Sequence, residues 1–260
     1  MSKRTLKIIF WSGGVFLLLL VLLAFAVPVL FRDRLDARIK STINSNVHAV
    51  VDYKDLDISL FRRFPYLSIE LQELRVVGKD EFRDDTLLYV PSFDLAVNLF
   101  SALRGRSITI SKITLDHARI HVKVLKNGKP NWDIALSDSI PANSSTSTSS
   151  TWNLQLKKYY LKKSTIIYED ASYPLYLSLK EIDHLGSGDF SSDVFNLSTE
   201  TTSPSVSFSY NNISYLNNAA LDADVDLQIE SSQDKYTFRK NVIKLNDLQL
   251  AFDGVMQLKK

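Results

Sequence analysis

Cysteine is absent, which excludes a disulfide framework, a thiolate nucleophile and a cysteine-ligated zinc site. Excess charge is almost absent as well: 31 basic residues stand against 29 acidic ones, for a net charge of +2. Lys3, Arg4 and Lys7 precede the first acidic residue, so the rest of the chain has no basic surplus to steer a nucleic acid. Glycine is scarce, at 8 residues, and no glycine-rich phosphate loop occurs. No long helical pattern separates the apolar segments that follow Val51, which argues against a helix-covered parallel sheet. What the chain does have is 45% hydrophobic residues over 260 positions, enough to bury a core in one large domain or two small ones.

The longest uncharged run is Ile8 to Phe31, "IIFWSGGVFLLLLVLLAFAVPVLF". As a helix rising about 1.5 Å per residue it covers a hydrocarbon core of about 30 Å, and a retained membrane anchor is the expectation. The rival is a cleaved signal peptide, since Ala24-Phe25-Ala26 has the form of a cleavage site, but apolar residues continue past it. Lys and Arg flank both ends of the run, so their count does not decide its orientation.

Next, Leu35, Ile39, Ile43 and Val47 recur at i, i+4 spacing and predict a short amphipathic helix that packs its stripe on the first strands. From Val51 the period becomes two. Leu56-Ile58-Leu60, Leu67-Ile69-Leu71, Phe93-Leu95-Val97-Leu99 and Leu221-Ala223-Val225-Leu227-Ile229 each alternate with polar residues. These are strands with one apolar and one polar face, which predicts an antiparallel sheet wetted on one side.

The alternation stumbles, and the stumble recurs. "ITISKITLDHARIHV" from Ile108 aligns with "LQLKKYYLKKSTIIY" from Leu154, so that Ser111-Lys112 fall on Lys157-Lys158. "LSIELQELRVVGKDEF" from Leu67 aligns with "LYLSLKEIDHLGSGDF" from Leu175, with Gln72-Glu73 on Lys180-Glu181 and Gly78 on Gly186. Asn246-Asp247 give a third echo. An extra residue that returns the apolar side chains to the same face is the signature of a β-bulge, which also curves the sheet. Ile110, Ile113, Leu115, Ile120, Leu156, Val225 and Leu227 are therefore expected on one concave apolar face, with Lys112, Arg119, Lys123 and Asp226 towards water.

The uncharged span, the helix after it, "DYKDLDISLFRRFPYLSIELQELRVVG", "FDLAVNLFSALRGRSITISKITLDHARIHV" and "NGKPNWDI" together resemble the N-terminal region of AsmA-like proteins of the Gram-negative envelope, over about the first half of the chain. The resemblance implies an inner-membrane anchor with a cytoplasmic N-terminus and a periplasmic body. It also implies a twisted β-groove that carries phospholipid towards the outer membrane and supports outer-membrane assembly. Its implied partners are the inner membrane, phospholipid acyl chains and other envelope proteins; it brings no catalytic residue, cofactor, metal or nucleic acid. Members are usually much longer, so a truncated or partial chain is expected.

The fold expected is mainly β: a transmembrane helix and a short amphipathic helix, then a long, twisted antiparallel β-sheet forming a repeating groove. The parts are an anchor at 1–31, a first β-groove region at 32–136, a Ser/Thr-rich loop at 137–151 and continuing groove repeats at 152–260. Enzyme-like features have simpler readings. His117 and His121 have zinc-ligand spacing only on a helix, and here they fall in a strand pattern. Asp222, Asp224 and Asp226 have calcium-loop spacing, but Leu227 stands where the loop needs glycine. "HLGSGD" reads as a turn, and Trp132 as a plug for the end of the sheet. The expectation is a non-enzymatic lipid groove; the alternative is a structural or interaction module whose face is filled by its own side chains.

Overall fold

The computed structural model describes residues 32–104, 107–136, 153–190 and 192–258. The predicted span Ile8 to Phe31 and the Ser/Thr-rich segment 137–151 lie outside the described residues. Among the described residues, no helix is long and apolar enough to cross a membrane.

Helix α1, Arg32–Asn46, forms where the four-residue apolar spacing predicts it, and Ile39, Ile43 and the following Val47 pack on the core. That core contains Ala49, Val51, Tyr53, Leu56, Leu71, Leu74, Val76, Val90 and Ala118. Helix and sheet are stitched at an edge as well as through the stripe. The Asn44 side chain donates to the Val51 carbonyl at 2.7 Å and accepts from the Val51 N–H at 2.9 Å, so an amide group takes the place of a neighbouring strand. Replacing Asn44 by Ala leaves both backbone groups without this partner. It should cost about 1–3 kcal/mol, read as a lower unfolding midpoint in urea at unchanged slope; an unchanged midpoint would remove the stitch from the account.

Among the described residues thirteen strands follow: β1 Ala49–Asp52, β2 Asp55–Arg63, β3 Tyr66–Gly78, β4 Thr86–Asn98, β5 Ser107–Asp116, β6 Arg119–Val124, β7 Asn153–Leu156, β8 Lys158–Asp170, β9 Leu175–Gly188, β10 Val194–Tyr210, β11 Ile213–Glu230, β12 Lys235–Leu245 and β13 Leu248–Gln257. One short helix, α2 at Leu99–Arg104, joins β4 to β5. All the strands belong to one sheet ordered β1-β3-β4-β5-β8-β9-β10-β11-β12-β13, with β2 beside β3, β6 beside β4 and β8, and β7 beside β5.

The sheet is mixed, which corrects the antiparallel expectation. β5 pairs in parallel with β7 and β8, and β6 pairs in parallel with β8. A parallel return needs a long connection rather than a hairpin, and residues 125–152 supply its length. The parallel register also explains the first sequence alignment: Ile108 lies beside Leu154, Ile110 beside Leu156, Ile113 beside Tyr159, Leu115 beside Leu161 and Ile120 beside Ile166. These two similar segments are neighbours in space, so their irregularities coincide.

Ser111 is the extra residue of β5, because Ala96 faces Lys112 while the adjacent Val97 faces Ile110. The break between β7 and β8 at Lys157 lies alongside, with the Lys157 N–H bonded to the Ile110 carbonyl at 3.0 Å. A second pair of irregularities follows at His117 and Lys163, both with left-handed φ, of 55° and 43°. The buried Ser164 hydroxyl takes up the Ala118 N–H there, at 3.0 Å. In the second alignment Glu73 and Glu181 have φ of 52° and 49°, and the apolar pairs flanking them, Leu71 with Leu74 and Leu179 with Ile182, resume after an odd step. Asn246-Asp247 differ: they form the turn of a tight hairpin between β12 and β13, with Leu245 opposite Leu248. Asn246 has the φ of 50° that such a turn favours, and this corrects the third echo.

Candidate functional site

Cross-strand partners share a face, so the registers can be followed across the sheet. One row runs Ile58, Ile69, Leu95, Ile113, Tyr159, Gly186, Thr199, Val225. The next runs Leu56, Leu71, Phe93, Leu115, Leu161, His184, Thr201, Ala223, Ile243, Leu250. Ile110 and Leu156 sit side by side beyond the Ser111 bulge, Ile120 lies beside Leu88 and Ile166, and Leu227 lies between Leu197 and Phe238. All seven sequence-derived groove residues thus occupy one face of one sheet.

The cover over that face is uneven. Leu115 and Ile120 pack against the core cluster that α1 covers, together with Ile134 from the segment after β6. Ile110 is buried, and Ile113, Leu156, Val225 and Leu227 are half-buried. On β13 the same face carries Leu248, Leu250, Phe252 and Met256, which are 57%, 48%, 38% and 45% exposed. The early strands are therefore roofed by the chain itself, and the late strands present a wide apolar surface.

Polar groups break the apolar face at one place that sequence reasoning missed. His184 is hydrogen-bonded at both ring nitrogens, to the Tyr159 hydroxyl at 3.1 Å and the Thr201 hydroxyl at 2.7 Å. Tyr159 continues through Phe190 to Phe195 as an aromatic run, with ring centroids 6.0 and 5.1 Å apart. The Tyr159 ring lies over Gly186, where a Cβ would approach it to 2.2 Å. "HLGSG" is thus strand rather than turn, since these glycines make room for a ring and for the neighbouring backbone. A signal existed: the second alignment sets His184 on Val76, a buried core position.

Burial lowers the His184 pKa from its ordinary value. The folded state therefore favours neutral imidazole, and its stabilisation is present above the unfolded pKa of about 6.5 and is lost as pH falls towards the lower folded value. Melting temperature should drop between pH 7 and pH 5, and the drop should be smaller in His184→Gln. Equal pH slopes for the two proteins would assign the acid sensitivity elsewhere.

The remaining sequence features resolve as follows. Asp222, Asp224 and Asp226 lie exposed on β11, opposite in parity to Val225 and Leu227. His117 stands at the break between β5 and β6 against Asp116, not within a strand, and His121 lies 3.2 Å from Glu169. Trp132 is 45% exposed against Tyr168, so it does not plug the sheet. Its neighbour Asn131 is the buried member and stitches β6 through the Lys123 N–H and the His121 carbonyl. Arg119 is exposed, while Lys123 is half-buried and pairs with Asp85 at 2.9 Å.

A single long β-sheet, apolar on one face and roofed at one end by a helix, defines a scaffold built around an extended surface. The chain belongs to the AsmA family, whose family model matches residues 1–246. The match extends well beyond the first half of the chain, where the resemblance was legible. A comparison with curated proteins finds no match.

Proposed function

We propose that this chain is a membrane-anchored, periplasmic lipid-handling protein of the Gram-negative envelope, held in the inner membrane by Ile8 to Phe31. Acyl chains lie along the late part of the apolar face while headgroups stay wet at its rim, and the chain itself performs no hydrolysis. One observation carries the reading: from Leu197, Val225 and Leu227 to Leu250 and Phe252, large apolar side chains share a face that the described residues leave partly or largely open. A contiguous surface of that kind is stabilised by an apolar ligand or partner. Family membership supports a role in envelope lipid transport and biogenesis.

The alternative, a self-filled structural module, draws on the early strands, where α1 already fills the face over Leu115 and Ile120. Mass spectrometry of lipid extracted from the purified full chain separates the two. Phospholipid retained in stoichiometric amount is expected, and its absence after extraction with a mild detergent would favour the self-filled module.

A further inference from the structure

The face opposite the apolar one carries an arrangement that lipid burial does not use. Near the point where β4 passes from β5 to β6, a cavity of about 700 Å³ is lined by Arg75, Thr86, Tyr89, Arg119, His121 and Thr165, with Ile120 and Ile167 as its apolar wall. Register sets four of these in one row: Arg75 on β3 faces Tyr89 on β4, Tyr89 faces Arg119 on β6, and Arg119 faces Thr165 on β8. The two arginines are thus rooted two strand spacings apart, about 10 Å, a gap that two long guanidinium side chains can close over one small anion.

Their charges are poorly compensated. Arg62 and Arg63, on the same sheet, are paired with Asp57, Glu70 and Asp94. Among the described residues Arg119 has no ion pair, and Arg75 stands over the Tyr89 ring with its Cζ 5.7 Å from the centroid. The carboxylates around them are bonded to other cations: Asp52, opposite Arg75 on β1 and within reach of its charge, is held by Lys40 at 3.0 Å, and Asp85 is held by Lys123 at 2.9 Å. Glu169 lies 3.2 Å from His121 Nε2, but that nitrogen is buried and lacks an aligned hydrogen bond. Two guanidinium groups, a phenol and two threonine hydroxyls form a donor-rich set. By contrast, the cavity lined by Lys112, Lys158 and Tyr160 contains its own acids, Asp183 and Glu200.

We propose that the Arg75–Tyr89–Arg119 cavity binds a phosphate group, carried either by a lipid headgroup or by a small soluble phosphate. Guanidinium groups bind phosphate oxygens through paired, charge-assisted hydrogen bonds, and the Thr86, Thr165 and Tyr89 hydroxyls add donors for the remaining oxygens. The site lies on the opposite face from Leu227, so it stands or falls independently of the acyl-chain reading.

The test is calorimetric titration of the full chain in dodecyl maltoside micelles with inorganic phosphate, with dihexanoylphosphatidylglycerol and with phosphate-free dihexanoylglycerol. At least one phosphate probe should bind, and Arg75→Gln/Arg119→Gln should weaken it by about tenfold or more, while Arg83→Gln leaves it unchanged. Binding of inorganic phosphate identifies a soluble ligand; arginine-dependent binding of the lipid alone identifies a headgroup. Both arginines are exposed, and the melting temperature of the double variant should match that of the parent. If it does not, Arg119→Gln alone carries the comparison. Binding that the arginine variants leave unaltered, or no binding by either phosphate probe, overturns the proposal.

Discussion

Val90→Asp should unfold the protein, whereas Leu227→Asp should leave it folded and strip it of the lipid proposed to lie on this face. Both positions lie on the apolar face, and only the cover differs. Val90 is 0% exposed within the cluster roofed by α1 and offers an introduced carboxylate neither water nor a partner. An uncompensated buried charge costs several kcal/mol, about the whole stability of an ordinary domain. Leu227 is half-buried, between Leu197 and Phe238 on a partly open stretch of face. A carboxylate there reaches solvent, and the loss is that of one partly exposed apolar side chain, about 1–2 kcal/mol. Thermal unfolding and lipid content of the two variants, beside Asp222→Asn as a surface control, read the outcome directly. Unfolding of both variants, with no lipid in the parent, would show that the face is closed along its whole length and would sink the conduit reading.

Deleting Ser111 should cost more than replacing it by Ala, and the cost should come from the β7–β8 side of β5. Ser111 is the extra residue whose bulge lets Ile110 and Ile113 both face the core side, opposite Val97 and Leu95. Without it, Ile110, Lys112 and Ile113 alternate regularly and pair in step with Val97, Ala96 and Leu95, so the faces are kept, but β7 and β8 still carry the extra residue Lys157 that Ser111 matches. The Lys157 N–H then loses its place against the Ile110 carbonyl, and an unpaired backbone group costs about 1–3 kcal/mol. Ser111→Ala keeps the residue count and should cost less than about 1 kcal/mol. Urea unfolding of the two variants makes the comparison, and similar midpoints would mean that the irregularities at Ser111 and Lys157 need not coincide.

Much of this architecture was legible because its signals are local. Period-two alternation assigned faces at Leu221 to Ile229, and the odd steps at Ser111 and Glu73 marked bulged positions, since a strand carrying an extra residue keeps one face buried only by absorbing that residue in a bulge. The stripe Ile39, Ile43, Val47 announced α1 and the surface it would seek. Asn246-Asp247 misled because a two-residue skip is written alike in a bulge and in a tight turn, and only the identity of the pairing partner distinguishes them. "HLGSG" misled because glycine breaks a strand in isolation but admits a close neighbour in a sheet, here the Tyr159 ring.

By itself the sequence determined which side chains share a face, where the strands kink, and that a helix with one apolar stripe precedes them. These follow from bond geometry within a few residues. Only the tertiary structure decided that β5 and β6 meet β7 and β8 in parallel, that α1 roofs the face over Leu115 and Ile120 but leaves Leu250 and Phe252 exposed, and that Arg75, Tyr89 and Arg119 form one row. Each depends on pairing between segments far apart in the chain. Alternation makes every strand self-consistent with many partners, and the choice among them rests on register, bulge alignment and burial summed over the whole sheet.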